Sequence, residues 1–274
     1  MQRIALVLCL ALLVGASCAA ADAAKWSQPP KTGPSYDFAS EWKDQWVMAM
    51  ADDWTCRDGV PIAGVRWWGS YWTPPVPGGY TPYSGYQNGA PPGGITSFVI
   101  GITRNAPAGG SMPFDHPDFS IGGILAAWEV LYGSANENYE FTVEKSASPL
   151  IEEKVYSYYA DLANATPIYS LPGGPFEQEQ GEKYWLIIGA KGSNDTNKQW
   201  GWHEAYRVEG SSYATQSVMP FLFPDAQVGW QIPCTGHDMA FELFPVPEPG
   251  SLAALALGLA GLVGMTRRIR RRSG

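Results

Sequence analysis

The stretch Pro61-Ile62-Ala63-Gly64-Val65-Arg66-Trp67-Trp68-Gly69-Ser70-Tyr71-Trp72 decides the fold of this chain. In a β-strand its side chains alternate between two faces, with Val65, Trp67 and Tyr71 on one face and Arg66, Trp68, Ser70 and Trp72 on the other. Because Trp67 and Trp68 point in opposite directions, we expect one of them to face solvent, a loop or a partner.

Other short apolar stretches repeat this pattern, whereas convincing amphipathic helices are scarce. They are Gln45–Met50, Ser97–Thr103, Gly123–Val130, Tyr139–Val143, Lys154–Tyr159, Tyr184–Ala190, Trp200–Ala205 and Met239–Phe244. The 31 glycines and 23 prolines of the chain separate such stretches. We therefore predict an all-β fold, an antiparallel β-sandwich of jelly-roll-like type, over residues 45–245. Residues 25–44 are expected to form an irregular leader, and Thr73–Gly94 and Pro172–Pro175 are interpreted as loops within this one domain.

The N-terminus has the pattern of a secretory signal peptide. A short positive region, Met1-Gln2-Arg3, precedes the apolar stretch Ile4–Val14 and a small-residue cleavage region, Ala19–Ala23. Residues 1–24 are therefore predicted to be removed on export. Cys18 raises the alternative of a lipoprotein, although Gly15 fits such a cleavage site poorly.

The C-terminus combines three features in a fixed order. The block Pro247-Glu248-Pro249 interrupts regular structure, since proline fixes φ and lacks a backbone donor. An uncharged segment, Leu252–Met265, follows and spans roughly 21 Å as a helix, less than the ~30 Å core of a bilayer. The arginines Arg267, Arg268, Arg270, Arg271 and Arg272 come last and belong on the cytoplasmic side of a membrane. The simplest alternative is an ordinary C-terminal transmembrane anchor.

This order of block, apolar helix and arginine cluster, over residues 246–274, resembles the PEP-CTERM sorting signal. The resemblance implies that an exosortase, a membrane transpeptidase of Gram-negative bacteria, is the partner that recognises Pro247, Glu248 and Pro249. It also implies a localisation in which the exported chain is transiently anchored in the inner membrane. The chain would then reach the cell surface or the extracellular space.

Removing both terminal signals leaves a strongly acidic chain. Residues 25–249 contain 12 Lys and Arg against 25 Asp and Glu, a net charge of −13, whereas the whole chain carries −8. Such a balance argues against binding to nucleic acid or to anionic membrane surfaces. Two cysteines remain after processing, Cys56 and Cys234, and an even number in an exported protein favours a disulfide between them.

The catalytic motifs of common enzyme classes are absent from the sequence. Asp115-His116-Pro117-Asp118 reads as a turn with capping aspartates, and His237-Asp238 as the start of the final strand. Asp52-Asp53 and Asp58-Gly59 offer carboxylates to a structural Ca²⁺, but they lack the spaced ladder of a calcium loop. We therefore predict no catalytic residues, no metal site and no cofactor. A glycoside hydrolase remains an alternative, because the separation of two carboxylates cannot be read from sequence.

Aromatic residues supply the candidate binding surface. All 12 tryptophans lie beyond residue 25, and exposed aromatic rings stack on sugar rings. The candidates for glycan stacking are Trp68, Trp72, Tyr80, Tyr83 and Tyr86. The simpler interpretation is that large aromatic groups fill the core of the sandwich.

Several stretches between Ala51 and Leu243 also resemble an uncharacterised domain of secreted bacterial proteins. They include Ala51–Cys56, Val65–Trp72, Trp200–Trp202 and Asp238–Leu243. This resemblance implies one β-rich domain and no reaction. The expected function is a secreted, non-enzymatic protein of the cell surface or extracellular matrix, with extracellular polysaccharide binding as the alternative.

Overall fold

A computed structural model of the chain describes residues 23–43, 46–72, 95–110, 112–120, 122–145, 148–168, 170–192, 199–208, 211–219, 230–231 and 237–246. Its strands are β1 (Trp26–Gln28), β2 (Asp37–Ala39), β3 (Glu41–Lys43), β4 (Trp46–Thr55), β5 (Ile62–Trp72), β6 (Ile95–Ala106), β7 (His116–Pro117), β8 (Ile124–Leu131), β9 (Asn138–Lys145), β10 (Ser148–Asp161), β11 (Thr166–Pro167), β12 (Lys183–Gly192), β13 (Gln199–Ala205), β14 (Thr215–Met219), β15 (Trp230–Gln231), β16 (Asp238–Met239) and β17 (Phe241–Pro245). Within these ranges a 3-10 turn, Tyr132–Ser134, is the only helical element. None of the helical structure described is long or apolar enough to cross a bilayer.

Two sheets pack as a sandwich, which confirms the predicted fold class. The first sheet runs β1, β17, β5, β10 and β9, and β13 joins it beside β5 while pairing with β2 and β16. The second sheet runs β11, β8, β6, β12, β4, β14 and β15, with β3 between β12 and β4 and with β7 on β6. The pairs of long strands are antiparallel, whereas β3 is parallel to β12. Each stretch predicted to be a strand overlaps one of these elements.

The predicted irregular leader is instead part of both sheets. β1 pairs with β17 and β2 pairs with β13 in the first sheet, while β3 pairs with β12 and β4 in the second. Trp26 and Phe38 from this segment are buried in the core. Three-residue strands separated by proline and glycine are too short to show a two-residue period, so sequence pattern alone misses them.

Aromatic side chains fill the space between the sheets, as the simpler interpretation of the tryptophans predicts. Trp67 of β5 is fully buried and stacks on Tyr158 with ring centroids 5.5 Å apart. Phe98 of β6 reaches across from the other sheet and packs edge-on against Trp67 at 5.2 Å. Large rings from both sheets therefore interlock in one core.

Trp68 points to the opposite face of β5, yet it is buried as well. It is 6% exposed and packs in a second apolar cluster with Val143, Val155, Ala205 and Ala240. The two neighbouring tryptophans thus lie on opposite faces of β5, but this cluster buries Trp68 instead of leaving it toward solvent. Strand alternation predicts the direction of the Trp68 side chain, but it does not predict which residues cover that side chain.

Candidate functional site

A groove of about 890 Å³ opens at one end of the sandwich. It lies where β6 ends and β12 begins, next to the start of β5 after Pro61. This end of the molecule, where β17 also finishes at Pro245 opposite Ile62, is called the Pro61 end below. The polar residues that line the groove include Arg104, Asn105, Glu177, Gln178, Glu179 and Glu182.

The inner wall of the groove is aromatic. Trp128, Phe176 and Tyr184 line it, and they are 1%, 7% and 6% exposed. Tyr184 stacks on Trp54 with ring centroids 5.4 Å apart and meets the edge of Phe176 at 5.3 Å. The rings therefore pack mainly on one another, and the groove receives its chemical character from the polar rim.

The rim is a loop that backbone hydrogen bonds hold in place. Phe176 exchanges both of its backbone hydrogen bonds with Ile62, at 2.8 and 2.9 Å. The Gly181 N–H donates to the Cys56 carbonyl at 2.8 Å, and the Cys56 N–H donates to the Glu182 carbonyl at 2.9 Å. Gly181 has φ +89°, a left-handed conformation that glycine adopts without strain. The side chain of Gln178 is buried and bonds to the Trp54 indole and the Val60 carbonyl. The neighbouring Glu177 and Glu179 are consequently turned to solvent.

Lys183 is the cation with the most partners at the groove. Its Nζ lies 2.8 Å from Asp115, 2.8 Å from the Ser212 hydroxyl and 3.4 Å from Asp53. Partial burial disfavours the charged amine, but the hydrogen bond to Asp115 and the attraction of Asp53 outweigh it and raise the pKa of Lys183. Lys183 is thus neutralised locally, and the three rim glutamates give the groove an acidic balance.

Three aspartates lie buried deeper in the fold. Asp52 accepts the backbone N–H groups of Asp53, at 2.9 Å, and Met239, at 2.6 Å. Asp238 accepts the Val208 N–H and the Ser211 hydroxyl, both at 2.9 Å. Burial raises the pKa of Asp52 well above its ordinary value, and repulsion from Asp238 and Asp53 raises it further. Burial likewise raises the pKa of Asp53 and of Asp238.

Two histidines hold the N-terminal segment to the sandwich. His203 Nε2 lies 2.9 Å from the Lys31 carbonyl and therefore donates to it, while Nδ1 faces Asp37 at 2.7 Å. His237 Nδ1 lies 2.7 Å from Glu204, whose carboxylate also binds Lys31 Nζ at 2.9 Å. These titratable groups fasten backbone segments together and are not part of the groove lining.

The residues that the sequence offered for metal binding are occupied by local contacts. Asp58 accepts the Lys25 ammonium and the Val60 N–H, and the hydrogen bond from Lys25 lowers its pKa. Asp118, which is predicted to cap a turn rather than to bind a metal, accepts the Ser120 N–H at 2.9 Å. Among the described residues, no group of three His, Cys, Asp or Glu side chains is arranged to hold a metal ion.

Trp68 presents almost no surface for a sugar, because its own cluster buries it. The side chain of Trp72 and the residues Tyr80, Tyr83 and Tyr86 lie outside the described part of the chain. Cys56 is buried and accepts the Gly59 N–H, whereas Cys234 lies outside the described residues, so the disulfide stays a prediction. Residues 1–22 of the predicted signal peptide lie outside the described residues. The Pro247–Pro249 block, the apolar segment and the arginine cluster lie outside them as well.

Sequence reasoning missed the groove itself. Its acidic rim is visible in the sequence as Glu177-Gln178-Glu179-Gln180-Gly181-Glu182, directly before a strong strand signal. That run looks like an ordinary solvated loop. Only the pairing of Phe176 with Ile62 brings it to the start of β5, beside the end of β6.

Comparison with known proteins assigns both parts of the chain. Residues 24–244 match the model of a domain of unknown function, DUF7901, and residues 245–271 match the PEP-CTERM protein-sorting motif. Neither the curated proteins nor the solved structures contain a significant match. The resemblance of the tail to a PEP-CTERM signal is confirmed. The chain belongs to the DUF7901 family and carries a PEP-CTERM sorting motif directly behind that domain.

Proposed function

We propose that this chain is a secreted, non-enzymatic protein of the cell surface or the extracellular matrix. The observation that carries the proposal is the PEP-CTERM motif at residues 245–271, which follows the domain at 24–244 without an intervening segment. Such a motif implies export, sorting at the membrane and processing by an exosortase in Gram-negative bacteria. The sorted cargo is the acidic β-sandwich.

The buried titratable groups support a structural role for the sandwich. Asp52 and Asp238 bind backbone N–H groups, and His203 binds a backbone carbonyl and Asp37. A general acid or base has to reach a substrate proton, whereas these groups form hydrogen bonds that connect strands and loops. The carboxylates that do line the groove, Glu177, Glu179 and Glu182, come from one loop rather than from two facing walls.

Cell fractionation tests the sorting part of the proposal. In a host with its exosortase, we expect the tagged chain at the cell surface or in the medium. In the same host without the enzyme, we expect the chain to stay in the inner membrane. Identical distributions in the two hosts would contradict sorting by exosortase.

Glycan binding is the second candidate function, and the groove is the observation that favours it. Its volume falls within the ~300–1,000 Å³ range of ligand sites, and its rim presents carboxylates and amides. The acidic rim would repel uronate or phosphate groups, so a neutral polysaccharide is the class of ligand that fits.

A pull-down with residues 25–245 on a panel of neutral and acidic polysaccharides tests this second candidate. We expect retention on a neutral polymer that the double variant Glu177→Ala/Glu182→Ala weakens. Glu140→Ala, an exposed glutamate of β9 outside the groove lining, serves as the matched control. Absence of retention on the whole panel would exclude glycan binding. Release of reducing ends from any polymer would instead indicate a hydrolase.

A further inference from the structure

The two ends of the folded domain leave the sandwich side by side. β1 pairs with β17 in the register Trp26↔Leu243, Ser27↔Glu242 and Gln28↔Phe241. The Lys25 N–H extends this pairing by donating to the Leu243 carbonyl at 2.8 Å. Because the two strands are antiparallel, the start of β1 and the finish of β17 both lie at the Pro61 end.

The last strand is locked into the sheet up to its final residue. β17 lies between β1 and β5, and Pro245 pairs with Ile62. The Val246 N–H then donates to the Pro61 carbonyl at 3.1 Å. The folded domain therefore reaches to within one residue of the Pro247-Glu248-Pro249 block.

Such a short connection restricts where the domain sits while the tail is in the membrane. Six residues lie between Pro245 and Leu252, where the apolar segment begins, so seven Cα-to-Cα steps connect the two. Even a fully extended chain of that length spans at most about 25 Å. On the other side, the signal peptide expected over residues 1–24 leads directly into β1.

The chemistry of the Pro61 end favours a protein as its neighbour rather than lipid. The exposed side chains of Glu177, Glu179 and Glu182 border it, and anionic lipid headgroups repel carboxylates. Val60, which is 37% exposed, adds an apolar contact point beside Pro61.

We propose that the Pro61 end of the sandwich faces the exosortase in the precursor, so that the enzyme processes a folded domain held against its extracytoplasmic surface. This inference rests on the proposed sorting. It adds an orientation and a contact surface to it. The opposite end, where β8 finishes at Leu131, points away from the enzyme, because β8 alone is about 23 Å long.

Photo-crosslinking of the full-length chain in cells that contain the enzyme tests the orientation. A photoreactive amino acid replaces Val60 in one variant and Leu131, which is 62% exposed, in the matched control. We expect a crosslinked species with the exosortase from position 60 and none above background from position 131. Equal crosslinking from both positions would overturn the proposal. Absence of a crosslink from position 60 in cells that still process the chain would overturn the proposal as well.

A spacer variant tests whether the short connection is the cause. Ten Gly/Ser residues inserted between Val246 and Pro247 add roughly 17 Å of mean reach. We expect processing to continue and the crosslink from position 60 to disappear, and a crosslink that survives the spacer would contradict the inference. Mass spectrometry of the protein from these cells distinguishes a failure of the proposed sorting from a failure of the orientation inference. In cells that carry the chain with its natural connection, a retained tail refutes sorting, and the inference with it, whereas a removed tail without the crosslink from position 60 refutes the inference alone.

Discussion

Gly69 of β5 occupies a position that no larger residue fits. An added Cβ would lie 2.3 Å from a ring carbon of Trp200 and 2.6 Å from the Gly201 carbonyl oxygen. Since neither the buried indole nor the backbone can move freely, we expect Gly69→Ala to lower the free energy of unfolding by about 1–3 kcal/mol. Urea denaturation of residues 23–246 measures this. Gly189→Ala is the control, because a Cβ there meets nothing within 4 Å, and equal effects of both variants would contradict the packing argument.

Asp52 gives the stability of the fold a specific pH dependence. Burial raises its pKa well above the ordinary value of an aspartate, and repulsion from Asp238 and Asp53 raises it further. The folded state therefore favours the protonated carboxyl, and the stability that Asp52 contributes falls as pH rises from its unfolded pKa toward the raised folded one. Asp52→Asn removes this ionisation. We expect the unfolding free energy of the wild type, minus that of the variant, to decrease as pH rises from about 4. A difference that stays constant or grows with pH would be inconsistent with a raised pKa.

The two neighbouring tryptophans show what single residues reveal before a structure is known. Alternation along β5 correctly assigns Trp67 and Trp68 to opposite faces. It cannot show that Val143, Val155, Ala205 and Ala240 gather over Trp68, because these residues come from four separate places in the chain. This cluster leaves Trp68 only 6% exposed, so little of its ring surface is available to a glycan.

The N-terminal segment illustrates the same limit for whole strands. Long strands such as β5, β6 and β12 carry enough residues for a two-residue period to stand out. β1, β2 and β3 have three residues each, and long-range partners in β17, β13 and β12 create them. Such short strands form because partner strands elsewhere in the sandwich pair with them.

Removal of this segment should therefore damage the fold. A fragment that begins at residue 44 loses the buried rings of Trp26 and Phe38 and leaves His203 without Asp37. Truncation of one buried aromatic ring costs about 3–5 kcal/mol, against a total stability of about 5–15 kcal/mol for a typical domain. We expect the fragment to unfold at a much lower urea concentration than residues 23–246, or not to fold, as measured by near-ultraviolet circular dichroism. Equal midpoints would mean that the segment is a dispensable leader.

The groove depends on three elements meeting. The end of β6 and the starts of β8 and β12 are each visible as strand boundaries in the sequence, but their convergence with the loop that pairs with the start of β5 is a property of the sheet pairing. Glu177, Glu179 and Glu182 acquire a candidate role only through that convergence. Sequence therefore predicts the strands well and the site poorly.

The chain joins a β-sandwich to a sorting motif with almost no linker. The family match ends at residue 244, the motif match begins at 245, and β17 finishes at Pro245. The last strand of the fold and the sorting motif thus meet at one end of the domain, which also contains the groove and the start of β1. Processing at the Pro-Glu-Pro block would free this end of the sandwich.

Intact-mass spectrometry of the protein recovered from the cell surface or medium tests sorting most directly. The mature chain is expected to begin near Lys25, to end near the Pro247-Glu248-Pro249 block, and to lack Leu252–Met265 and the arginines from Arg267 to Arg272. The same measurement in a host without exosortase should find these residues retained in a membrane-bound precursor. A mature protein that still carries Arg267–Gly274 in the presence of the enzyme would show that the tail is a permanent anchor, and it would contradict the proposed function.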